Sequence, residues 1–107
     1  MIEIIEATDN TFEQEVKRST LPVIVFFYSK NCGYCRNEIP LYKELFLKYK
    51  EKVRFVTVNT NENPIKSSEY KINSIPTFLL VKNRKTINTI TGFLHKYQLE
   101  DLIKSFS

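Results

Sequence analysis

Residues 23–36 of the chain read VIVFFYSKNCGYCR. The first six of these residues are continuously apolar or aromatic, which is typical of a strand that is covered on both faces of a sheet. An amphipathic stretch that predicts a helix begins near the cysteines and runs to about Lys50. The only two cysteines of the chain, Cys32 and Cys35, are therefore expected where a buried strand passes into a helix.

This position favours reactive thiols. The first N–H groups of a helix have no partner within it, and the helix dipole adds partial positive charge there. A thiolate at Cys32 is stabilised by both effects, so we expect its pKa to lie below that of a free cysteine. Cys35 follows three residues later, on the same helix face and within disulfide reach. The pair predicts thiol–disulfide exchange, with Cys32 as the nucleophile and Cys35 as the resolving thiol.

Length and composition indicate a single domain, residues 1–107. A chain of 107 residues with 42% hydrophobic content can bury roughly 65% of its unfolded surface without a structural disulfide or metal. One Cys-x-x-Cys pair supplies only two metal ligands, so a structural zinc site would require dimerisation. We expect neither a metal nor another cofactor. The net charge of +4 is explained by a solvated, lysine-rich surface. Nucleic-acid binding would need basic residues clustered on one face, and we do not expect it.

The N-terminal sequence and the cysteine content predict a cellular location. Residues 1–6 lack the basic and long apolar regions of a secretory signal, although a processed chain would look the same. The longest apolar run is too short to span a bilayer. A single cysteine pair without a disulfide framework is typical of a redox-active cytosolic protein. We therefore expect a cytoplasmic monomer without membrane association.

The whole chain predicts the element order βαβαβαββα. Such elements form a mixed sheet between helices, with the chemistry beyond the carboxyl ends of the parallel strands, where Cys32 lies. Strands are expected at residues 2–5, 23–28, 53–59, 77–81 and 86–91. Besides the helix that follows the cysteines, helices are expected around Phe12 and Val16, from Asn63 to about Tyr70, and from about His95.

In these features the chain resembles the thioredoxin family over essentially its whole length. The residues that carry the resemblance are Cys32-Gly33-Tyr34-Cys35 after the apolar strand, Pro40, Val58-Asn59 with Asn63-Pro64, Ser74-Ile75-Pro76-Thr77, and Gly92. The resemblance implies an α/β thioredoxin fold, with a mixed central sheet of about five strands flanked by about four helices. It also implies a protein-disulfide reductase that receives electrons from an NADPH-dependent thioredoxin reductase.

The resemblance further implies a surface that binds disulfide-containing client proteins. A cis Ile75–Pro76 bond would face the two sulfurs, and the backbone of Ile75 would pair with an extended client segment. Gly92 would let the client approach closely, unless it is only a loop glycine between strand and helix. Gly33 and Tyr34 complete the expected client-binding set, because the tip of this turn must be exposed for the chemistry.

Several positions depart from the family pattern, among them Asn31, which replaces the usual tryptophan before the first cysteine. Family members usually carry a buried aspartate six residues before the first cysteine, where it assists proton transfer at the second cysteine; here that position is Phe26. The lysine that usually accompanies the aspartate is replaced by Thr57. Glu38 lies one turn beyond Cys35 and is expected to be solvated. Cys35 would then lose its proton to water or to the departing thiolate.

The dipeptide between the cysteines is Gly-Tyr, whereas typical thioredoxins have Gly-Pro. The N–H of Tyr34 is expected to point toward the sulfur of Cys32, which would make the couple more oxidising by about 30 mV per 1.4 kcal/mol of added stabilisation. The Gly-Tyr pair also resembles that of periplasmic disulfide isomerases, so an isomerase or oxidase function is the first alternative. A non-catalytic module that holds client chains is the second, and the presence of both cysteines argues against it.

Overall fold

The computed structural model describes residues 2–107. Within this range the chain forms five strands and four helical segments in the predicted order. These elements are β1 (Ile5–Glu6), α1 (Glu13–Lys17, π-helical), β2 (Val23–Tyr28), α2 (Gly33–Tyr49), β3 (Arg54–Asn59), α3 (Pro64–Glu69), β4 (Thr77–Lys82), β5 (Lys85–Thr91) and α4 (Lys96–Phe106). No helix in the described range is long and apolar enough to cross a bilayer.

The five strands form one mixed sheet in the order β1-β3-β2-β4-β5, which confirms the predicted α/β architecture. β3 pairs in parallel with both β1 and β2, whereas β4 is antiparallel to β2 and to β5. β1 is shorter than expected and begins later, because only Ile5 and Glu6 pair with β3. The central strand, β2, delivers the chain to Cys32 at the carboxyl end of the parallel strands.

Side chains of β2 point alternately into two separate hydrophobic clusters. Ile24 and Phe26 belong to the cluster formed with α2 and α4. Val23, Val25 and Phe27 belong to the cluster on the opposite face, which includes the buried side of α1. Because both faces of the strand are covered, its sequence is continuously apolar and does not alternate between apolar and polar residues.

Tyr42 fixes α2 against the sheet. This side chain is fully buried, and its hydroxyl lies 2.9 Å from the carbonyl oxygen of Ile24 and 2.7 Å from that of Val56. The same hydroxyl accepts the N–H of Val56 at 3.1 Å. A buried hydroxyl with this set of partners avoids the desolvation penalty of an unpaired polar group. It therefore sets where the first turn of α2, with Cys35, lies relative to β2 and β3.

The start of α3 is capped from a distant segment. Asn63 occupies the N-cap position and Pro64 follows, as predicted, but the Asn63 side chain makes no capping hydrogen bond. The carboxylate of Asp9 instead accepts the N–H groups of Ile65 and Lys66 at 3.2 and 2.8 Å. The Asn63 side chain accepts the N–H of Asp9 in return, at 2.9 Å. This exchange ties the segment before α1 to α3.

Candidate active site

Cys32 and Cys35 form a disulfide at the start of α2. Cys32 is the N-cap residue, with an extended backbone, and the helix begins at Gly33. The Sγ atom of Cys32 accepts a hydrogen bond from the N–H of Cys35 at 3.1 Å. The two Cα atoms are 5.2 Å apart. The sulfur of Cys32 thus lies at the unpaired N–H groups of the helix, as the sequence predicts.

The two sulfurs differ in accessibility. Cys35 is fully buried, and it packs with Phe26 and Tyr42 in the larger hydrophobic cluster. Cys32 is only partly buried and lies at the edge of the same cluster. A protein disulfide approaching from solvent can therefore reach Cys32 but not Cys35.

Within residues 2–107, the N–H of Tyr34 does not form the expected hydrogen bond to the sulfur of Cys32. In this disulfide-bonded state the sulfur of Cys32 accepts the N–H of Cys35 instead. Cys32 is the N-cap residue, and the side chain of an N-cap residue can accept the N–H of the residue three positions later. A proline at position 34 would leave that donor in place. The argument for a more oxidising couple from the Tyr34 N–H is therefore not supported by this geometry.

A row of exposed and partly exposed aromatic side chains extends from Tyr34 away from the cysteines. The Tyr34 side chain is 68% exposed, and its ring centroid lies 6.4 Å from that of Phe93. Phe93 contacts His95 edge-on at 5.2 Å, and His95 stacks on Tyr97 at 6.3 Å. His95 is exposed at the N-cap of α4, where a helix was expected to begin. Sequence reasoning did not identify Phe93 as a neighbour of the active site.

The segment before β4 and the segment after β5 lie side by side. The predicted cis bond between Ile75 and Pro76 is present. The N–H of Gly92 donates to the carbonyl oxygen of Pro76 at 2.8 Å, so the segment before β4 and the segment after β5 are joined. Pro76 is buried, whereas Ile75 is partly exposed. Within residues 2–107 the backbone N–H and C=O of Ile75 form no hydrogen bond.

Both glycines of the chain lie at this surface, and both face open space. Gly92 has a φ of 110°, a conformation that other residues rarely adopt, so the backbone itself requires glycine there. A Cβ atom at either Gly33 or Gly92 would meet no atom within 4 Å apart from its chain neighbours. The loop-glycine interpretation of Gly92 is therefore sufficient, and the space in front of both residues is open.

Phe26 and Thr57 stand where the family usually has its buried aspartate and lysine. Phe26 is fully buried, and its ring lies 5.1 Å from that of Phe78 and 5.2 Å from that of Tyr42. The hydroxyl of Thr57 donates to the carboxylate of Glu6, an exposed residue, at 2.9 Å. Neither position supplies a buried ionisable group. No cluster of three or more His, Cys, Asp or Glu side chains suited to a metal ion occurs in the described range.

The expectation that Glu38 is solvated is wrong. Glu38 is fully buried on the face of α2 that carries Cys35 and Tyr42. Its Oε1 atom accepts the N–H of Leu94 at 2.8 Å, and its Oε2 atom has no hydrogen-bond partner within residues 2–107. Burial raises the pKa of this carboxyl to about 7, opposed by the lowering effect of the Leu94 hydrogen bond. A carboxyl that titrates near neutral pH thus lies one turn beyond Cys35.

Comparison with known proteins agrees with this geometry. The sequence profile of the thioredoxin family matches residues 3–105. The chain is 41% identical to thioredoxin 1 of Synechococcus elongatus over 96 residues, which cover 90% of each chain. It is 42% identical to the thioredoxin of Rickettsia prowazekii over 96 residues, covering 90% of this chain and 91% of that one. Likeness over this length, with the disulfide where β2 passes into α2, shows that the chain belongs to the thioredoxin family and is a thiol–disulfide oxidoreductase.

Proposed function

We propose that the protein reduces disulfide bonds in client proteins, with Cys32 as the nucleophile and Cys35 as the resolving thiol. The observation that carries this assignment is the difference in accessibility between the partly exposed Cys32 and the buried Cys35. A client sulfur can form a bond only with the accessible residue. Cys35 is then held next to that bond by the helix turn that places it three residues further on.

The reaction consists of two exchange steps. The Cys32 thiolate attacks one sulfur of the client disulfide, the client S–S bond breaks, and the other client sulfur leaves as a thiolate and takes up a proton. Cys35 gives its proton to that departing thiolate or to water, and its own thiolate then attacks the sulfur of Cys32 and displaces the second client sulfur as a thiolate. Two electrons have passed to the client, and the Cys32–Cys35 disulfide seen in the structure is the product.

The client chain is proposed to bind along the partly exposed Ile75. Its backbone N–H and C=O have no partner within residues 2–107, so they are free to pair with an extended segment. Open space in front of Gly33 and Gly92 leaves room for that segment. The exposed ring of Tyr34 offers an apolar contact beside Cys32. Pro76 is buried, so its part is to shape the backbone at Ile75 and not to meet the client with its ring.

For repeated turnover the disulfide must be reduced again. The relatives are thioredoxins, and we propose an NADPH-dependent thioredoxin reductase as the electron donor. We propose a monomer in the cytoplasm as the working form, since a lone cysteine pair suits a reducing compartment. No cofactor is needed in this scheme, because the two sulfurs themselves carry the electrons.

A disulfide isomerase or oxidase is the second candidate, and the Gly33-Tyr34 dipeptide favours it. Equilibration with glutathione buffers separates the two. The reductase function predicts a potential closer to about −270 mV, the level of thioredoxins, than to about −180 mV, the level of protein disulfide isomerase. In parallel, NADPH, a thioredoxin reductase and the protein should together reduce insulin. A potential at or above the isomerase level, with no insulin reduction, would contradict the proposal.

A further inference from the structure

Several contacts hold the 92–95 loop, which leads from β5 into α4. The Leu94 side chain packs against the larger hydrophobic cluster, and the N–H of His95 bonds to Oε1 of Gln98 at 3.0 Å. The N–H of Gly92 bonds to the carbonyl oxygen of Pro76 at 2.8 Å. The ring of Phe93 lies beside that of Tyr34, with 6.4 Å between the ring centroids. The N–H of Leu94 bonds to Oε1 of Glu38 at 2.8 Å. The last of these is a hydrogen bond between the buried face of α2 and the loop backbone.

A carboxyl at this position is unfavourable for the fold itself. Glu38 is fully buried, and its Oε2 atom has no partner in the described part of the chain. A buried polar atom without a partner costs free energy that an apolar side chain of similar volume would not. What a glutamate supplies, and an apolar residue does not, is an acceptor for the Leu94 N–H.

We propose that Glu38 is a positioning residue for client binding, which holds the 92–95 loop through the Leu94 N–H so that Gly92 and Phe93 form one continuous surface with Tyr34 beside Cys32. This inference rests on the proposed function, since it assumes that a client chain crosses that surface. Glu38 does not touch the client in this scheme, and its effect passes through the backbone of Leu94.

Loss of the acceptor has a defined consequence for the loop. Once Oε1 is removed, the Leu94 N–H loses the hydrogen bond that ties it to α2. The backbone at Leu94 is then held only by the packing of its side chain on the core cluster, so Phe93 is fixed less firmly beside Tyr34. Clients that extend along the loop lose a contact, whereas a small disulfide that reaches only the sulfur of Cys32 does not use the loop.

The test compares Glu38→Met with Glu38→Gln on two substrates, insulin and the small aromatic disulfide DTNB. Methionine has a similar volume and no acceptor oxygen, whereas glutamine keeps an acceptor for the Leu94 N–H. With dithiothreitol regenerating the dithiol, Glu38→Met is expected to raise the KM for insulin about fivefold, the order of one hydrogen bond, with a much smaller effect on kcat. The ratio of kcat/KM for insulin to that for DTNB falls by the same factor. Glu38→Gln is expected to restore the ratio.

Two results would overturn this inference. An equal loss on both substrates would show that the carboxyl acts on the sulfurs or on the fold as a whole. An unchanged KM for insulin would show that the loop does not depend on Glu38. If wild type reduces DTNB but not insulin, the proposed function fails instead, which is a different outcome.

Phe93→Ala supplies an independent measurement, because it removes a loop side chain without changing the buried carboxyl. We expect it to raise the KM for insulin in the wild-type protein and to add little in the Glu38→Met background. Effects of two substitutions that do not add indicate that both residues act through the same part of the structure, here the 92–95 loop. Full additivity of the two effects would contradict the positioning role, even if Glu38→Met were less stable.

Discussion

Replacing Cys35 with serine is expected to leave client proteins covalently attached to the enzyme. The accessible sulfur of Cys32 can still open a client disulfide, but the buried thiol that would release the client is gone. Mixed disulfides should therefore accumulate in stoichiometric amounts, and catalytic insulin reduction should fall to background. Non-reducing gels and intact-mass measurements of the Cys35→Ser protein incubated with insulin give the readout.

Cys32→Ser is the matched control. A serine hydroxyl does not attack a disulfide sulfur under these conditions, and the remaining thiol is fully buried. This variant is expected neither to reduce insulin nor to trap it. Trapping by Cys32→Ser at a rate similar to that of Cys35→Ser would reverse the two roles and contradict the assignment from accessibility.

The free energy of unfolding is expected to fall as the pH rises from 4.5 to about 7, and Glu38 is the group responsible. In the folded protein burial raises the pKa of Glu38 to about 7, whereas the unfolded chain releases this proton near 4.5. Between these values only the folded state holds the proton. Its contribution is therefore complete below pH 4.5 and is lost as the pH rises through 7. At about 1.4 kcal/mol for each pH unit, the change is up to about 3 kcal/mol.

Urea unfolding of wild type and Glu38→Gln, at about pH 4.5 and about pH 8, measures this change. Glutamine does not titrate, so its stability relative to wild type should increase with pH by the amount given above. Glu100 does not interfere, because hydrogen bonds from Lys48 and Tyr49 lower its pKa to about 2, below the window. Parallel stability profiles for the two proteins would show that Glu38 is not protonated in the folded state.

The junction between β2 and α2 was predictable because its determinants are local. An apolar run, a cysteine pair and an amphipathic stretch follow one another without a break, and the structure places β2 at Val23–Tyr28 as expected. The position of Cys32 at the N-cap follows from the same sequence. Where a prediction required a partner elsewhere in the chain it was less accurate, as for β1, whose length depends on its pairing with β3.

Glu38 was missed although a signal was present. Cys35, Glu38, Tyr42 and Leu45 follow at intervals of three or four residues, the spacing of one helix face, and all four are buried. The charge of the side chain argued for solvent and outweighed its position. Its partner, Leu94, lies 56 residues further along the chain. The proximity of Phe93 to Tyr34 could not be predicted from the sequence either, because it depends on how the segment after β5 packs against the start of α2.

Whether the start of α2 holds Cys32 as a reactive thiolate is tested most directly by the rate at which the reduced protein is alkylated as a function of pH. Cys32 is the accessible sulfur, so its ionisation governs the fast phase. Stabilisation by the N–H groups and the dipole of the helix predicts a midpoint clearly below about 8.5, the value of an unperturbed thiol. A midpoint at or above about 8.5 would contradict the assignment of Cys32 as the activated nucleophile.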